Sequence, residues 1–510
     1  AKNTTMDYKM KKTTLLFLIV SIFFCACSRV EVVELPITTS SPKALDYYRK
    51  AMLSYQVGDG LETRTLLDSA LSLDPNFVMA LELYESQDPI LNKKYQERAK
   101  KNAINVSEAE RKILTTRQSY RKGDMDKALE SAKWLVDNHG QSYESYIWLG
   151  QVQSDRYELD DAIKTLKKSI ELNPDNYDAY SLLMGHHIAA GTQVMLPEEK
   201  RNVELGMKYG DELIRIRSDH GLPYHMKANC YRQLGEFEKA EPLYEESIEK
   251  RKGLSSEGTA YIVSAHNYMF SGDLNTARLR YKSAIDLNKD VPRRWFILNL
   301  YLTYSYIFDN DYINAIDRLL EVEEQLNEKD FDKASLLQVN SQNSWHKMIC
   351  YAHNQMEEEA YEALVKSIEN SKRRAELLKD ENVFREVKSN EQFQTAWVNI
   401  LFGKYEQARQ NLDKLKKFQN EIKDPTAMYG FYGLSGMADL MEGNYKGAID
   451  NFSKGNKNNI YFNYFKALAF RAGGKEEEAK KEFKKIANLN FSSWEIAIVR
   501  RLANKQLERT

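Results

Sequence analysis

Three side chains with metal-binding chemistry share one helical stripe. His346, Cys350 and His353 follow one another at intervals of four and three residues. A helix rises about 1.5 Å per residue, so the two histidines would stand about 10 Å apart, too far to share one ion. Only His346 and Cys350 could pair on a metal, and other ligands would have to come from elsewhere. We therefore expect groove or surface histidines beside a packed cysteine, and no metal.

Other catalytic patterns are incomplete. Gly433, Ser435 and Gly436 approach a G-x-S-x-G nucleophile elbow, but Met437 follows where the last glycine belongs. The stretch also lies inside a predicted helix, whereas the elbow needs a strand-to-helix turn. The adjacent His186 and His187 would point about 100° apart on a straight helix. A phosphate loop, an H-E-x-x-H motif and an EF-hand loop are all absent from the sequence. The sequence therefore predicts neither an enzyme nor a cofactor.

The overall charge excludes one class of partner. Lys and Arg number 73 against 74 Asp and Glu, which gives a formal net charge of −1. Domains that bind nucleic acid are usually strongly basic. After residue 27, no apolar run is long enough to cross a bilayer, which needs about 20 residues. We expect the protein to have no nucleic-acid partner.

The N-terminal stretch has the features of an export signal. Lys11 and Lys12 precede residues 15–24, which are apolar except for Ser21, and Ala26 precedes Cys27. Ala26-Cys27 resembles the lipobox of bacterial lipoproteins, which implies acylation of Cys27 and a tether at residues 28–42. The alternatives are an ordinary cleaved signal or an N-terminal anchor helix. We expect residues 1–27 to be a leader, with translation starting at Met10 or, as the second choice, at Met6. The mature chain is expected to be exported and lipid-anchored to the bacterial outer membrane, on its periplasmic or surface face.

One window carries a repeat motif. Residues 143–176 read YESYIWLGQVQSDRYELDDAIKTLKKSIELNPDN, with Tyr146, Gly150, Ala162, Leu166 and Pro174 at fixed intervals. This resembles the tetratricopeptide repeat, a helix pair with a period of about 34 residues. Gly150 and Ala162 are small where the two helices of a pair approach, and Pro174 ends the second helix.

The same order of turn, alanine and large side chain recurs along the chain. The copies are Gly58-Asp59 with Ala70, Gly123-Asp124 with Ala128, Gly235 with Ala240, Gly272-Asp273 with Ala277, Asp311-Tyr312 with Ala315, Ala360 with Leu364, Gly403 with Ala408, Gly443 with Ala448, and Gly474 with Ala479. Strand-like alternation is almost absent. We predict an all-α solenoid of antiparallel helix pairs.

Uneven spacing indicates the domain organisation. Ala315, Ala360 and Ala408 are separated by 45 and 48 residues, longer than one period. We therefore predict an N-terminal array at residues 43–370, an irregular helical connector at 371–396 and a C-terminal array at 397–510.

At larger scale the chain resembles a family of long repeat lipoproteins from Bacteroidota-like Gram-negative bacteria. The resemblance rests on LSLDPNFVMAL at 71–81, YGLSGMADLMEGNYKGAIDNFSKGN at 432–456 and WEIAIVRRLANK at 494–505. Cys230 and Cys350 occupy one repeat slot, which usually takes a small packed residue. Because each repeat contacts only its neighbours, we expect two free thiols.

The resemblance also implies a binding surface. In tetratricopeptide proteins the first helix of each pair lines the concave groove, and particular slots point inward. Carried onto this chain, those slots are His225, Asn229, Arg232, His266, Met269, Phe270, Tyr304, Phe308, Trp345 and His353. Aromatic and arginine residues are enriched at binding hot spots. The competing interpretation is that several of them pack against the neighbouring pair.

Three functions remain open. The first is a non-catalytic scaffold of the cell envelope that binds a peptide or protein partner in the groove. The second is glycan capture, as in SusD-type lipoproteins, although those carry large irregular insertions. The third is an enzyme or a regulatory module with an unrecognised site. The absence of catalytic motifs and the repeats along the whole chain favour the first.

Overall fold

The computed structural model describes residues 32–86, 89–188, 195–420 and 426–509. These residues form 25 α-helices, two short 3-10 helices and no β-strand, which confirms the predicted all-α solenoid. The predicted leader, including Cys27, lies outside the described residues. Within the described segments, no helix combines the length and apolarity that a membrane span requires.

Backbone contacts divide the chain into two compact units, Ala1–Ser218 and Asp219–Thr510. The first unit contains ten α-helices: α1 Pro42–Gln56, α2 Gly60–Leu73, α3 Val78–Leu83, α4 Pro89–Asn102, α5 Glu108–Lys122, α6 Met125–His139, α7 Tyr143–Asp155, α8 Leu159–Leu172, α9 Tyr177–His187 and α10 Val203–Ile216.

The second unit contains fifteen. They are α11 Gly221–Gln233, α12 Phe237–Lys250, α13 Glu257–Ser271, α14 Leu274–Leu287, α15 Pro292–Phe308, α16 Tyr312–Leu326, α17 Lys333–His353, α18 Glu357–Leu378, α19 Glu381–Leu401, α20 Tyr405–Asn420, α21 Tyr429–Met441, α22 Tyr445–Lys454, α23 Ile460–Ala472, α24 Glu476–Ala487 and α25 Trp494–Glu508. Consecutive helices pack on one another as antiparallel pairs.

One turn geometry joins the two helices of ten pairs among the described residues. A residue with positive φ stands at each of these turns, and it is glycine at seven of them, including Gly123 at +71° and Gly443 at +82°. Tyr157, Asn310 and Gln355 adopt the same left-handed conformation at the remaining three. Where Asp or Asn follows, as at Asp124 and Asn444, its side chain caps the next helix. The recurring Gly-Asp signal in the sequence is therefore a turn followed by a helix cap.

Small residues bring the paired helices together. The ten recurring alanines, from Ala70 to Ala479, are all completely buried. A Cβ atom added at Gly150 would lie 2.7 Å from Leu166 Cδ2, so only glycine fits between these two helices. The predicted reason for both small positions in the 143–176 window is confirmed.

Cys230 and Cys350 are buried and free. They lie on α11 and α17, and burial raises the pKa of the Cys230 thiol to about 12. Both thiols therefore act as small apolar side chains within the packing.

The division into units differs from the predicted domains. The boundary falls between Ser218 and Asp219, inside the predicted array 43–370. The predicted irregular connector, 371–396, belongs to α18 and α19, two regular helices of 22 and 21 residues. The long spacing between Ala315 and Ala408 reflects longer helices, because extra turns lengthen a repeat without interrupting the solenoid.

The predicted tether also differs. Residues 32–41, here called the N-terminal strap, are docked on the first unit in an extended conformation. Leu35 is 5% exposed and belongs to the core, and Val33 forms an isolated parallel β-bridge with Ser142. Residue 42 already belongs to α1. The prolines and hydroxyl residues that indicated a flexible tether are therefore part of a bound segment.

Three carboxylates hold the strap. Glu144 accepts the Leu35 N–H, Glu110 accepts both the N–H and the hydroxyl of Thr38, and Asp74 accepts the Ser40 N–H and the Thr39 hydroxyl. These hydrogen bonds from Ser40 and Thr39 lower the pKa of Asp74, although its burial acts in the opposite direction. The three acids are 36 and 34 residues apart, so each comes from a successive repeat.

Candidate functional site

The ten predicted groove residues all lie in the second unit, and most are covered. Six are buried, each at most 8% exposed: Asn229, Arg232, His266, Met269, Phe270 and Tyr304. The other four are half-buried: His225, Phe308, Trp345 and His353. The expectation of an open surface along the whole row is therefore not met, and ligand binding by these residues stays a prediction.

The chain's own C-terminal segment covers much of this row. Helix α25 packs against α15, α23 and α24. Arg232 donates from Nε to the carbonyl of Asn490 (3.1 Å), and the Asn490 amide donates back to the carbonyl of Arg232 (2.9 Å). Arg500 lies over the rings of Phe270 and Phe308, at 5.2 and 5.5 Å from their centroids. Residues predicted to capture a ligand thus hold the end of the same chain.

Contact with the C-terminal segment buries the charged side chain of Arg232. Its side chain is 3% exposed and has no acidic partner among the described residues. The guanidinium donates instead to Asn490, to the Tyr244 hydroxyl (2.9 Å) and to the Val263 carbonyl (3.3 Å). Neutral acceptors compensate a buried guanidinium only in part, so these contacts must all be kept.

Five rings form an aromatic cluster beside this segment: Trp345, His353, Trp397, Tyr461 and Trp494. Trp345 contacts Trp494 edge-on at 5.2 Å and Trp397 at 6.2 Å between centroids. Trp397 donates from Nε1 to the Tyr461 hydroxyl (3.2 Å), which in turn lies 3.2 Å from His353 Nε2. The cluster joins α17, α19, α23 and α25, so it is chiefly a packing core.

The histidines of the predicted metal stripe already have partners. His346 Nδ1 donates to the Gln342 carbonyl (2.7 Å), so Nε2 accepts from the Tyr304 hydroxyl (2.8 Å). Burial lowers the pKa of both His346 and His353 to about 4, so both are neutral at pH 7. The described part of the chain contains no group of three or more side chains placed to hold a metal ion.

The elbow-like stretch has a packing role. Gly433 and Gly436 lie within helix α21, as predicted. A Cβ atom at Gly433 would overlap the Phe462 ring, and one at Gly436 would lie 2.8 Å from Phe452. These glycines let two phenylalanine rings approach the helix backbone.

A cleft of about 410 Å³ opens next to Trp345. Helices α15, α17, α18 and α19 form its walls, and apolar surface comes from Ile297, Leu300, Val383 and Val387. Unlike the covered row, the cleft has not been filled by another segment of the described chain. We take it as the candidate functional site.

Four amides line the cleft in two rows. Gln338 and Gln342 lie four residues apart on α17, and Asn390 and Gln394 lie four residues apart on α19. None of these side-chain amides forms a hydrogen bond with the described part of the chain. Each therefore offers a free donor and a free acceptor to a ligand.

Charged groups complete the lining. Arg293 and Arg374 face the cleft with Glu386, and within the described segments neither guanidinium forms an ion pair. Because His346 is neutral, the cleft carries two positive charges and one negative charge.

Of the cleft residues, only Trp345 is predicted from the sequence to contact a ligand. The amides and the two arginines were missed because only Trp345 and His353 were selected on α17, and no slot register was transferred to α18 and α19. A sequence signal for the amides does exist. Gln or Asn recurs at an interval of four residues on α17 and again on α19, and this interval places the two amides of each helix on one face.

The fold and the site define a class: an all-α solenoid of paired helices with a polar, ligand-sized cleft. A family model described as tetratricopeptide repeat matches residues 143–176 and 223–249, one stretch in each unit, so the chain contains tetratricopeptide repeats.

Three solved structures are similar to this chain. The MamA protein is 21% identical, with 36% of this chain and 93% of that chain covered and a TM-score of 0.29. A tetratricopeptide repeat protein from Parabacteroides merdae ATCC 43184 is 15% identical, with 55% and 97% covered and a TM-score of 0.35. YrrB, described as a TPR protein with an unusual peptide-binding site, is 14% identical, with 48% and 93% covered and a TM-score of 0.25. Among curated proteins, no significant match was found.

Proposed function

We propose that this protein is a non-catalytic scaffold that binds an extended peptide segment of a partner protein in the cleft beside Trp345. The observation that carries the proposal is the pair of amide rows without internal partners. A primary amide offers both a donor and an acceptor, which complements the N–H and C=O groups of a peptide bond. The tetratricopeptide repeats support the same function, because such proteins generally bind peptide or protein partners.

The spacing of the amides fits an extended chain. Residues four apart on a helix are separated by about 6 Å along its axis. Alternate residues of an extended peptide are separated by about 6.6–6.8 Å. Gln338 with Gln342, and Asn390 with Gln394, would therefore meet peptide groups two residues apart, while Trp345 offers a ring to an apolar side chain.

The test uses the full chain and a random ten-residue peptide library displayed on phage. We expect the wild type to enrich a consensus, and the double variant Gln342→Ala with Gln394→Ala to lose at least tenfold in affinity for it. The matched control is Gln407→Ala, which removes an exposed amide on α20 outside the cleft. Failure to enrich any peptide, or equal losses in the control, would contradict the proposal.

Glycan capture is the second candidate. The half-buried Trp345 beside amides favours it, because an aromatic face and amide groups also suit a sugar ring and its hydroxyls. A glycan array probed with the wild type and with Trp345→Ala distinguishes the two functions. A glycan signal that disappears in the variant, with no peptide enrichment, would assign the cleft to glycans.

We further propose that the mature protein is acylated at Cys27 and held at the outer membrane of a bacterial envelope. The support is the Ala26-Cys27 pair behind a short apolar run. Only residues 28–31 would separate the anchor from the strap. These four residues span at most about 14 Å when fully extended, so the first unit would stay close to the lipid. Palmitate labelling should be lost in Cys27→Ala and kept in Cys25→Ala, and label that persists in Cys27→Ala would refute acylation there.

A further inference from the structure

We propose that the cleft selects peptides in which an acidic side chain stands about three to five residues from an aromatic or large apolar side chain. This inference rests on the proposed peptide-binding function and adds a ligand class to it. It is carried by the two free guanidiniums and by their position relative to Trp345.

The positive charges of the cleft lack internal counterions. Arg293 is exposed and Arg374 is half-buried, and in the part of the chain that the structure describes neither lies within ion-pair distance of a carboxylate. Some guanidiniums elsewhere in the second unit do have such partners, as Arg409 has in Asp439 and Glu442. Two unmatched guanidiniums in one cleft point to an anionic group in the ligand.

Side-chain contacts set the register of the helices. Tyr304 of α15 meets His346 of α17, so Arg293, eleven residues earlier, lies level with residue 335. On antiparallel α18, Ser371 meets Ser341 (2.7 Å), so Arg374 lies level with Gln338. Both guanidiniums therefore belong to the same end of the cleft, and Trp345 belongs to the other.

The helix rise converts this register into a ligand length. Seven to ten residues of helix, from the level of Trp345 to that of the guanidiniums, correspond to about 10–15 Å. An extended peptide covers that distance with about three to five residues. Gln338 lies at the level of Arg374, and Gln342 lies between that level and Trp345, where it would meet an intervening peptide bond.

The charge of the cleft favours a carboxylate over a phosphate. Glu386 lines the cleft from α19 and leaves a surplus of one positive charge. One carboxylate neutralises this surplus, whereas a phosphorylated side chain with about two charges would leave an excess of negative charge in the cleft. An Asp or Glu side chain can also accept two parallel hydrogen bonds from one guanidinium.

The experiment measures fluorescence anisotropy with the full chain. The probe is a fluorescein-labelled pool of ten-residue peptides with Phe and Glu fixed three residues apart, in either order, and random residues elsewhere. A matched pool carries Gln in place of Glu. We expect the Glu pool to bind at least tenfold more tightly than the Gln pool.

Variants assign the selectivity to the cleft. Arg293→Gln with Arg374→Gln should reduce binding of the Glu pool to the level of the Gln pool and leave the Gln pool unchanged. Glu386→Gln should strengthen binding of the Glu pool about threefold. Arg373→Gln is the matched control, because Arg373 is exposed on α18 and does not line the cleft.

The outcomes separate this inference from the proposed function. Equal binding of the two pools overturns the acidic selectivity and leaves the peptide scaffold standing. An equal loss in the Arg373→Gln control overturns the assignment to the cleft. Binding of neither pool, together with no peptide enrichment from phage, removes both proposals.

Discussion

Gly433 and Gly436 show how single residues determine the helix packing of this protein. Gly433 is the position where α21 meets the Phe462 ring with no room for a methyl group. Replacing Gly433 by Ala should lower the free energy of unfolding by about 1–3 kcal/mol, because an overpacked core must shift its neighbours. Urea denaturation measures the change. Gly60→Ala is the control, since nothing lies within 4 Å of its added Cβ, and a comparable loss there would show that the effect is not steric.

Glu144 gives the first unit a dependence on pH. Burial raises the pKa of Glu144 to about 7, the Leu35 N–H bond lowers it in part, and nearby Glu34 raises it further. Because the folded state holds this proton more tightly than the unfolded state, an unfavourable contribution develops as pH rises from about 4.5 to 7 and persists above that.

Glu144→Gln should therefore gain stability relative to the wild type as pH rises. The amide cannot ionise, yet its oxygen still accepts the Leu35 N–H. Between pH 4.5 and pH 8, urea unfolding should show the free energy of unfolding of the variant rising by about 1–2 kcal/mol relative to the wild type. This is less than the whole pKa shift corresponds to, because the Glu144 side chain is only half-buried. The exposed Asp161→Asn should show no such trend. A constant difference for Glu144→Gln across this range would contradict the pKa assignment.

At the scale of elements, the N-terminal strap acts as a bound segment that joins three successive repeats. Its extended backbone satisfies three buried or half-buried carboxylates, and its Leu35 side chain completes the core of α1 and α2. Without the strap these carboxylates would lose the N–H and O–H groups that donate to them. A partly buried carboxylate without such donors lowers the stability of the folded state. The strap is thus part of the fold of the first unit.

Leu35→Ala tests this role. The loss of a nearly buried leucine should destabilise the first unit by about 2–3 kcal/mol and increase protease cleavage within residues 32–41. Both can be followed by urea denaturation and by mass spectrometry of the cleavage products. Val33→Ala, at a side chain 44% exposed, should change stability by no more than about 0.5 kcal/mol. Unchanged stability in Leu35→Ala would mean that the strap contributes nothing.

At the scale of the whole molecule, two units should respond separately to a local defect. Asn490 closes the second unit through hydrogen bonds that join Arg232 to Arg500. Asn490→Ala leaves the Arg232 carbonyl and the Arg500 guanidinium with fewer partners, at a cost of about 2–3 kcal/mol. Hydrogen exchange followed by mass spectrometry should show faster exchange between residues 219 and 509 only.

The control for that measurement is Asn504→Ala, an exposed position on α25. It should leave exchange unchanged in both units. Faster exchange in residues 32–218 of the Asn490→Ala protein would show that the two units unfold as one.

The repeat could be predicted from the sequence alone. Turn residues, caps and small packed positions act within one helix pair, so Gly150, Ala162 and Asp124 could be interpreted locally, and the all-α solenoid followed from their recurrence. The free state of Cys230 and Cys350 followed from the same nearest-neighbour logic.

Which of the inward-facing residues remain accessible depends on long-range packing, which the sequence does not reveal. The contact between Arg232 and Asn490 joins positions 258 residues apart, and the strap reaches from Leu35 to Glu144 across 109 residues. No local pattern indicates such contacts, because they depend on how successive repeats bring distant segments together. The packing of α25 over the predicted row and the opening of the cleft beside Trp345 therefore arise only when the second unit has folded. Burial of aromatic surface drives α25 onto the row, whereas the cleft is lined by amides that have no internal partner and stays open.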